Sequence, residues 1–202
     1  GVAKRVVYED FKSRARNPVA DEEPRDVGML ADLQDYVDRQ KTGDIFIVLH
    51  QMGNHGPAYY KRYPAAFEKF KPVKRSNELG SCSPQEIANA YDNAILYTDY
   101  FLAQVIKLLE KNSGRFETAM VYSSDHGESL GERGIYLHGM PYLFAPEEQK
   151  RVATLFWFSE AFKGDADRFR KVRDRPLSHS TLFHTILGLM GVQTTVYDPR
   201  LD

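Results

Sequence analysis

The chain has 202 residues, with 27 Lys plus Arg against 28 Asp plus Glu and a formal net charge of −1. That length suits one α/β domain or a large part of one, and the charge balance gives no footing for nucleic acid. The longest unbroken apolar run, Ile45 to Leu49, is far too short to cross a bilayer, and the opening GVAKRVVYED lacks the shape of a secretion signal.

In chain order, the first 27 residues, with Pro18, Pro24 and many charges, read as loop. Met29, Leu30, Leu33, Tyr36 and Val37 recur at helical spacing. KTGD then turns the chain into IFIVLH, with a buried strand over 45–49. The loop QMGNHGPAYYKRYPAAFEKFKP follows, with a short helix expected around Pro64 to Phe70. Its tyrosines serve either to pack the loop itself or as a platform for a substrate.

SPQE at 83–86 has the pattern of a helix start: Ser83 as cap, Pro84 in the first turn and Glu86 completing a capping box. The stripe Ile87, Tyr91, Ala94, Ile95, Leu102, Val105 and Leu109 carries that helix to a C-cap at Gly114. A second strand spans 118–123, and strand, crossover helix and strand predict a parallel pair. VATLFWF, 152–158, reads as a third strand. SHSTLFHTILGLMG reads as a closing helix with Leu182, Phe183, Ile186 and Leu187 inward. The single cysteine, Cys82, supports no internal disulfide and by itself points to a reducing compartment.

Open parallel sheets bind ligands beyond the carboxyl ends of their strands. The strand ending at His50 leads to His55, and the strand ending at Ser123 leads to Asp125 and His126. Adjacent strand residues face opposite ways, so Asp125 and His126 share a site only if the chain turns there, which Gly127 permits. A carboxylate and an imidazole suit a zinc-like ion. The same pair also fits a plain Asp–His hydrogen bond or an acid–base couple without metal. His55 and His138 each stand beside glycine, where the backbone can approach a ligand closely, or else are ordinary loop histidines. His50 could support a neighbouring ligand; His179 and His184, on the closing helix, suit capping or packing. No G-x-S-x-G elbow surrounds Ser123 and Ser124, which argues against a serine hydrolase.

HQMGNHGPAYYKRYP, NELGSCSPQEIANAYDNAILYTDYFL and VYSSDHGESLGERGIYLHGMPY together closely resemble the lipid A phosphoethanolamine transferases, a family that includes the mobile colistin-resistance enzymes. The likeness runs in order through most of residues 28–192. It implies an alkaline-phosphatase/sulfatase-like α/β fold, largely a parallel sheet flanked by helices. On that reading residues 1–202 are the C-terminal portion of a single catalytic domain in the periplasm of a Gram-negative cell, tied to the inner membrane through an upstream region. The resemblance implies a monomeric zinc enzyme that moves phosphoethanolamine from phosphatidylethanolamine, the donor, to lipid A, the acceptor.

Position by position, it makes Asp125 and His126 zinc ligands. It makes His55 and His138 catalytic residues that bind the substrate phosphate or an additional zinc, and it places Glu128 with the substrate-binding residues. Two departures stand out. The family's threonine nucleophile and remaining acidic ligand fall upstream of this sequence, so the chain alone is expected to be inactive. Position 74, where the resemblance calls for a cysteine to pair with Cys82, holds Lys, and Ala3 and Ala20 stand where further cysteines are expected. The rival readings are another transferase or hydrolase of the same fold (phosphoglycerol transferase, sulfatase, phosphodiesterase) or, for this chain alone, a non-catalytic metal-binding fragment.

Overall fold

The computed structural model describes residues 25–175 and 177–201. Residues 1–24, most of the expected N-terminal loop and with it Ala3 and Ala20, lie outside the described residues. The rest of the chain is organised around the helix that Ser83 begins. The Ser83 hydroxyl accepts from the Glu86 backbone N–H at 3.3 Å, and the Glu86 carboxylate accepts from the Ser83 N–H at 2.8 Å. Two N–H groups that a helix start leaves orphaned are thereby satisfied. From there α2 runs over Pro84–Asn112, 29 residues.

One face of α2 carries three apolar clusters in succession. Ile87 and Ala90 pack with Tyr59 and Leu79, and with Leu130 and Leu137 at the margin. Ala94 and Tyr97 pack with Tyr63 and Phe67. Phe101, Leu102 and Val105 meet Val27, Met29, Leu30, Leu49, Met120 and Tyr122. Tyr59 and Tyr63 are thus core residues, so these tyrosines pack the loop rather than offering a platform.

The far end of α2 is closed differently from expectation. The helix stops at Asn112, and Ser113 caps it in a right-handed conformation, so Gly114 does not make a left-handed cap. The buried Asn112 side chain donates to the Leu108 carbonyl and exchanges amide hydrogen bonds with Gln34. That exchange fastens α1, Leu33–Arg39, to the helix end. Before α1 the chain forms a 3-10 turn over Asp26–Leu30, so the periodicity starting at Met29 covers a turn plus a helix. The helix expected near 64–70 shrinks to a 3-10 turn, Ala65–Phe67. Beyond it the fully buried Asn93 side chain takes over, accepting from the Lys69 and Phe70 N–H groups and donating to the Phe70 carbonyl.

β1, Ala119–Ser123, pairs with β4, Thr154–Phe158, and the pairing is antiparallel, with Val121 opposite Phe156. Between them β2, Ser129–Leu130, and β3, Tyr136–Leu137, form a short hairpin, followed by α3, Glu147–Lys150. The expected parallel pair is absent among the described residues: both ladders are antiparallel. Residues 45–49 join no ladder among the described residues, and Phe46 and Val48 are exposed. Leu49 still reaches the α2 cluster that holds Met120 and Tyr122, so the segment lies on the same helix as β1 but not in its sheet. The described residues are mixed helix and sheet, as expected of an α/β class.

After β4 come α4, Lys163–Val172, whose Phe169 stacks on Phe156, and α5, His179–Leu189. Phe183 is exposed on α5, contrary to the expectation that it faces inward; its ring edge meets His184 instead.

Candidate metal centre

At the end of β1 the Ser124 hydroxyl donates to the His126 carbonyl at 2.7 Å, and the His126 N–H donates to Asp125 Oδ1 at 3.0 Å. The chain therefore turns sharply, as the sequence requires if both side chains are to serve one place. Gly127 permits the turn by its size, not by an unusual backbone angle. Its N–H donates to the Gln149 carbonyl, and a Cβ there would overlap the Glu148 carbonyl oxygen. The end of α3 lies flush against the loop for that reason.

The β2–β3 hairpin supplies the rest. Its register pairs Ser129 with Leu137, so the next residues outward, Glu128 and His138, stand opposite one another, as antiparallel pairing dictates. Leu130 and Leu137 anchor the hairpin to the Tyr59–Ile87 cluster on α2. Leu137 sits at φ +64, a left-handed conformation unfavourable for leucine, immediately before His138. His138 Nδ1 lies 3.1 Å from Glu128 Oε1. The His126 and His138 rings are 3.7 Å apart between centroids, and His55 and His138 are 5.6 Å apart.

The partners fix the proton positions. His126 Nδ1 is 2.9 Å from the Gly127 carbonyl and His138 Nδ1 faces the Glu128 carboxylate. A carbonyl and a carboxylate can only accept, so each Nδ1 carries the hydrogen and each neutral ring offers its Nε2 lone pair. His126, Glu128 and His138 each offer one donor atom within 4.8 Å of the others. Two imidazole nitrogens with a carboxylate are the donor types zinc accepts.

Asp125 stands beside this group, its Oδ1 3.7 Å from His126 Nε2, with the side chain 80 % exposed against 5 % for Glu128. The structure thus brings together Asp125, His126, Glu128, His138 and His55. The tightest group of three donors contains Glu128 and His138 rather than Asp125. His50 lies exposed just after residues 45–49.

Two further residues, Tyr59 and His179, shape the site without any local sign in the sequence. Tyr59 is buried next to Glu128, and its phenol is pushed well above the ordinary range, by burial first and then by that carboxylate. His179, at the start of α5, places Nε2 2.8 Å from the Ser124 carbonyl, bracing the turn that bears Asp125 and His126. Lys74 stands in the place expected for cysteine; its ammonium donates to the Ser81 carbonyl at 2.6 Å, next to the free thiol of Cys82. His184 Nδ1 accepts from the Asp198 N–H, a packing role.

A family profile described as Sulfatase matches residues 3–192. Phosphatidylethanolamine transferase Mcr-2 of Escherichia coli is 48 % identical over 190 residues, which is 92 % of this chain and 34 % of that protein. The chain spans about a third of the length of this relative. The soluble domain of lipooligosaccharide phosphoethanolamine transferase A from Neisseria meningitidis superposes with a TM-score of 0.88 at 34 % identity, covering 98 % of this chain and 60 % of that one. The C-terminal periplasmic domain of EptC from Escherichia coli, crystallised as a complex with Zn, superposes with a TM-score of 0.70 at 27 % identity, over 89 % of this chain and 51 % of that one.

Proposed function

Because this chain belongs to the sulfatase family, and because its histidines and carboxylates gather beside the end of β1, we propose that it is the C-terminal portion of the periplasmic catalytic domain of a zinc-dependent phosphoethanolamine transferase. The donor is phosphatidylethanolamine and the acceptor a phosphate of lipid A, in line with relatives named for phosphatidylethanolamine and for Kdo(2)-lipid A. The observation that carries the reading is the cluster of His126, Glu128 and His138, whose donor atoms lie within 4.8 Å of one another, with His55 at its side. The remaining acidic ligand and the nucleophile, a threonine, come from sequence outside these 202 residues.

Asp125 and His126 would hold a zinc ion, which when bound would supply positive charge to the phosphate oxygens and lower the pKa of the nucleophile's hydroxyl. The threonine oxygen attacks phosphorus, the bond from phosphorus to the glycerol oxygen breaks, and diacylglycerol leaves with a proton. An oxygen of a lipid A phosphate then attacks the same phosphorus and releases the threonine. His55 and His138 face the non-bridging oxygens, and one of them takes the threonine's proton on its ring nitrogen and passes it to the departing glycerol oxygen, returning a proton to the threonine in the second step. Glu128 holds His138 in the tautomer that leaves Nε2 toward the substrate.

The test uses the full-length protein with phosphatidylethanolamine labelled in its headgroup and lipid A as acceptor. Label should move to lipid A with wild type, and transfer should fall by at least about a hundredfold with His126→Ala, since nucleophile activation and charge stabilisation are lost together. Release of free phosphoethanolamine without transfer would make the protein a hydrolase of the same fold. Unchanged transfer by His126→Ala would remove the site.

A further inference from the structure

His55 sits on an exposed loop, yet the backbone beneath it is tied from three directions. The Asp26 carboxylate, only 7 % exposed, accepts from two consecutive N–H groups: Met52 through Oδ1 and Gly53 through Oδ2, each at 3.0 Å. Gly53 takes φ +52, the left-handed region that glycine enters without strain. Asn54 accepts from the Thr98 hydroxyl on α2 at 3.1 Å. The Arg62 guanidinium donates to the His55 carbonyl at 2.6 Å. Asp26 itself is held in place because Val27 donates to the Tyr97 hydroxyl and packs on the α2 cluster.

A surface loop needs no such foundation for its own sake. Burying a carboxylate is costly unless it is fully hydrogen-bonded, and here burial pushes the Asp26 carboxyl up against the opposing effect of the Gly53 and Met52 N–H groups and of Arg62 and Arg25. Both oxygens are spent on the two residues that set where His55 starts. His55 makes its ring contact with His138 at 5.6 Å, so a shift of the 52–55 backbone moves it relative to the metal centre.

We infer that Asp26 is a positioning residue for His55: through the Met52 and Gly53 N–H groups it fixes the loop that presents this histidine to the phosphoryl group. The inference rests on the proposed transferase reading, in which His55 faces the substrate. A carboxylate is required because a single group must accept twice, at neighbouring donors, from a buried position.

The full-length enzyme carrying Asp26→Ala, Asp26→Asn, His55→Ala or the Asp26→Ala/His55→Ala pair decides the matter in two arms. In the transfer assay, Asp26→Ala should lower kcat by about tenfold to a hundredfold, with KM changed less than about threefold, since misplacement of a positioned group acts on the reacting state. Asp26→Asn, which keeps one accepting oxygen, should fall between. The pair should be no slower than His55→Ala alone, because the effect of Asp26 passes through His55.

In the second arm, carbethoxylation followed by mass spectrometry should show the modification rate of His55 altered by Asp26→Ala while that of His184 is unchanged. Losses that multiply in the pair, an unaltered His55 rate, or failure of both Asp26 variants to give a folding transition would each overturn the role. If wild type transfers nothing, the transferase reading fails, and the modification arm still judges the brace.

Discussion

Glu128 and Asp125 stand three residues apart and occupy opposite environments, with side chains 5 % and 80 % exposed. An exposed carboxylate is free to rotate toward an ion; a buried one facing His138 Nδ1 orients that ring. Glu128→Gln keeps the shape but replaces a charged acceptor with an amide whose orientation is no longer dictated. Phosphoethanolamine transfer by the full-length protein should fall about tenfold to a hundredfold, because His138 is no longer held with Nε2 toward the substrate. Unchanged transfer would leave Glu128 without that role. At this scale the sequence discloses some residues and hides others. Asp125 and His126 announce themselves by adjacency at a strand end. The partnership of Glu128 with His138 depends on a hairpin of two-residue strands too short to leave a pattern, and Asp26 meets its partners 26 and 27 residues away.

Among the elements, α2 was the most legible, because its start is written in four consecutive residues. Hydrogen bonds from the Ser83 backbone N–H and hydroxyl hold the Glu86 carboxyl below its ordinary value of 4.5. A lowered carboxyl pKa means the folded form favours the ionised state. The contribution is complete above 4.5 and is lost as pH falls through the lower folded value. Amide exchange in the first turn of α2 should therefore speed up, relative to mid-helix, as pH drops below that ordinary value, after correction for intrinsic exchange. Glu86→Gln should abolish the acid-dependent part; a Gln variant with the same profile would remove the cap as its source. The end of α2 was not legible, since a glycine at 114 suggested a stop that the tertiary exchange between Asn112 and Gln34 makes instead. The antiparallel pairing of β1 with β4 was hidden for a related reason: an apolar run declares a buried strand but not its neighbour.

For the molecule as a whole, the three clusters along α2 join the 3-10 turn at Asp26–Leu30, the tyrosine loop, β1 and the β2–β3 hairpin, and the candidate metal centre lies between the first cluster and the end of β1. A metal that binds only the folded form stabilises it by mass action, by about 2.7 kcal/mol when free metal exceeds its Kd a hundredfold. Dialysis of the full-length protein against a chelator should lower its melting temperature, and zinc should restore it; the His126→Ala/His138→Ala pair should melt alike in both conditions. A wild-type melt indifferent to chelator would count against a resident ion. Segment 45–49, apolar but without a ladder partner among the described residues, is the strand that the expected parallel sheet lacks within them. One small replacement reaches furthest. Where a covalent staple was expected, the tie from Lys74 to Ser81 is electrostatic and reversible. Closure of that loop by this tie involves no thiol, so it should be indifferent to dithiothreitol, and a host defective in oxidative protein folding should still assemble this part of the molecule.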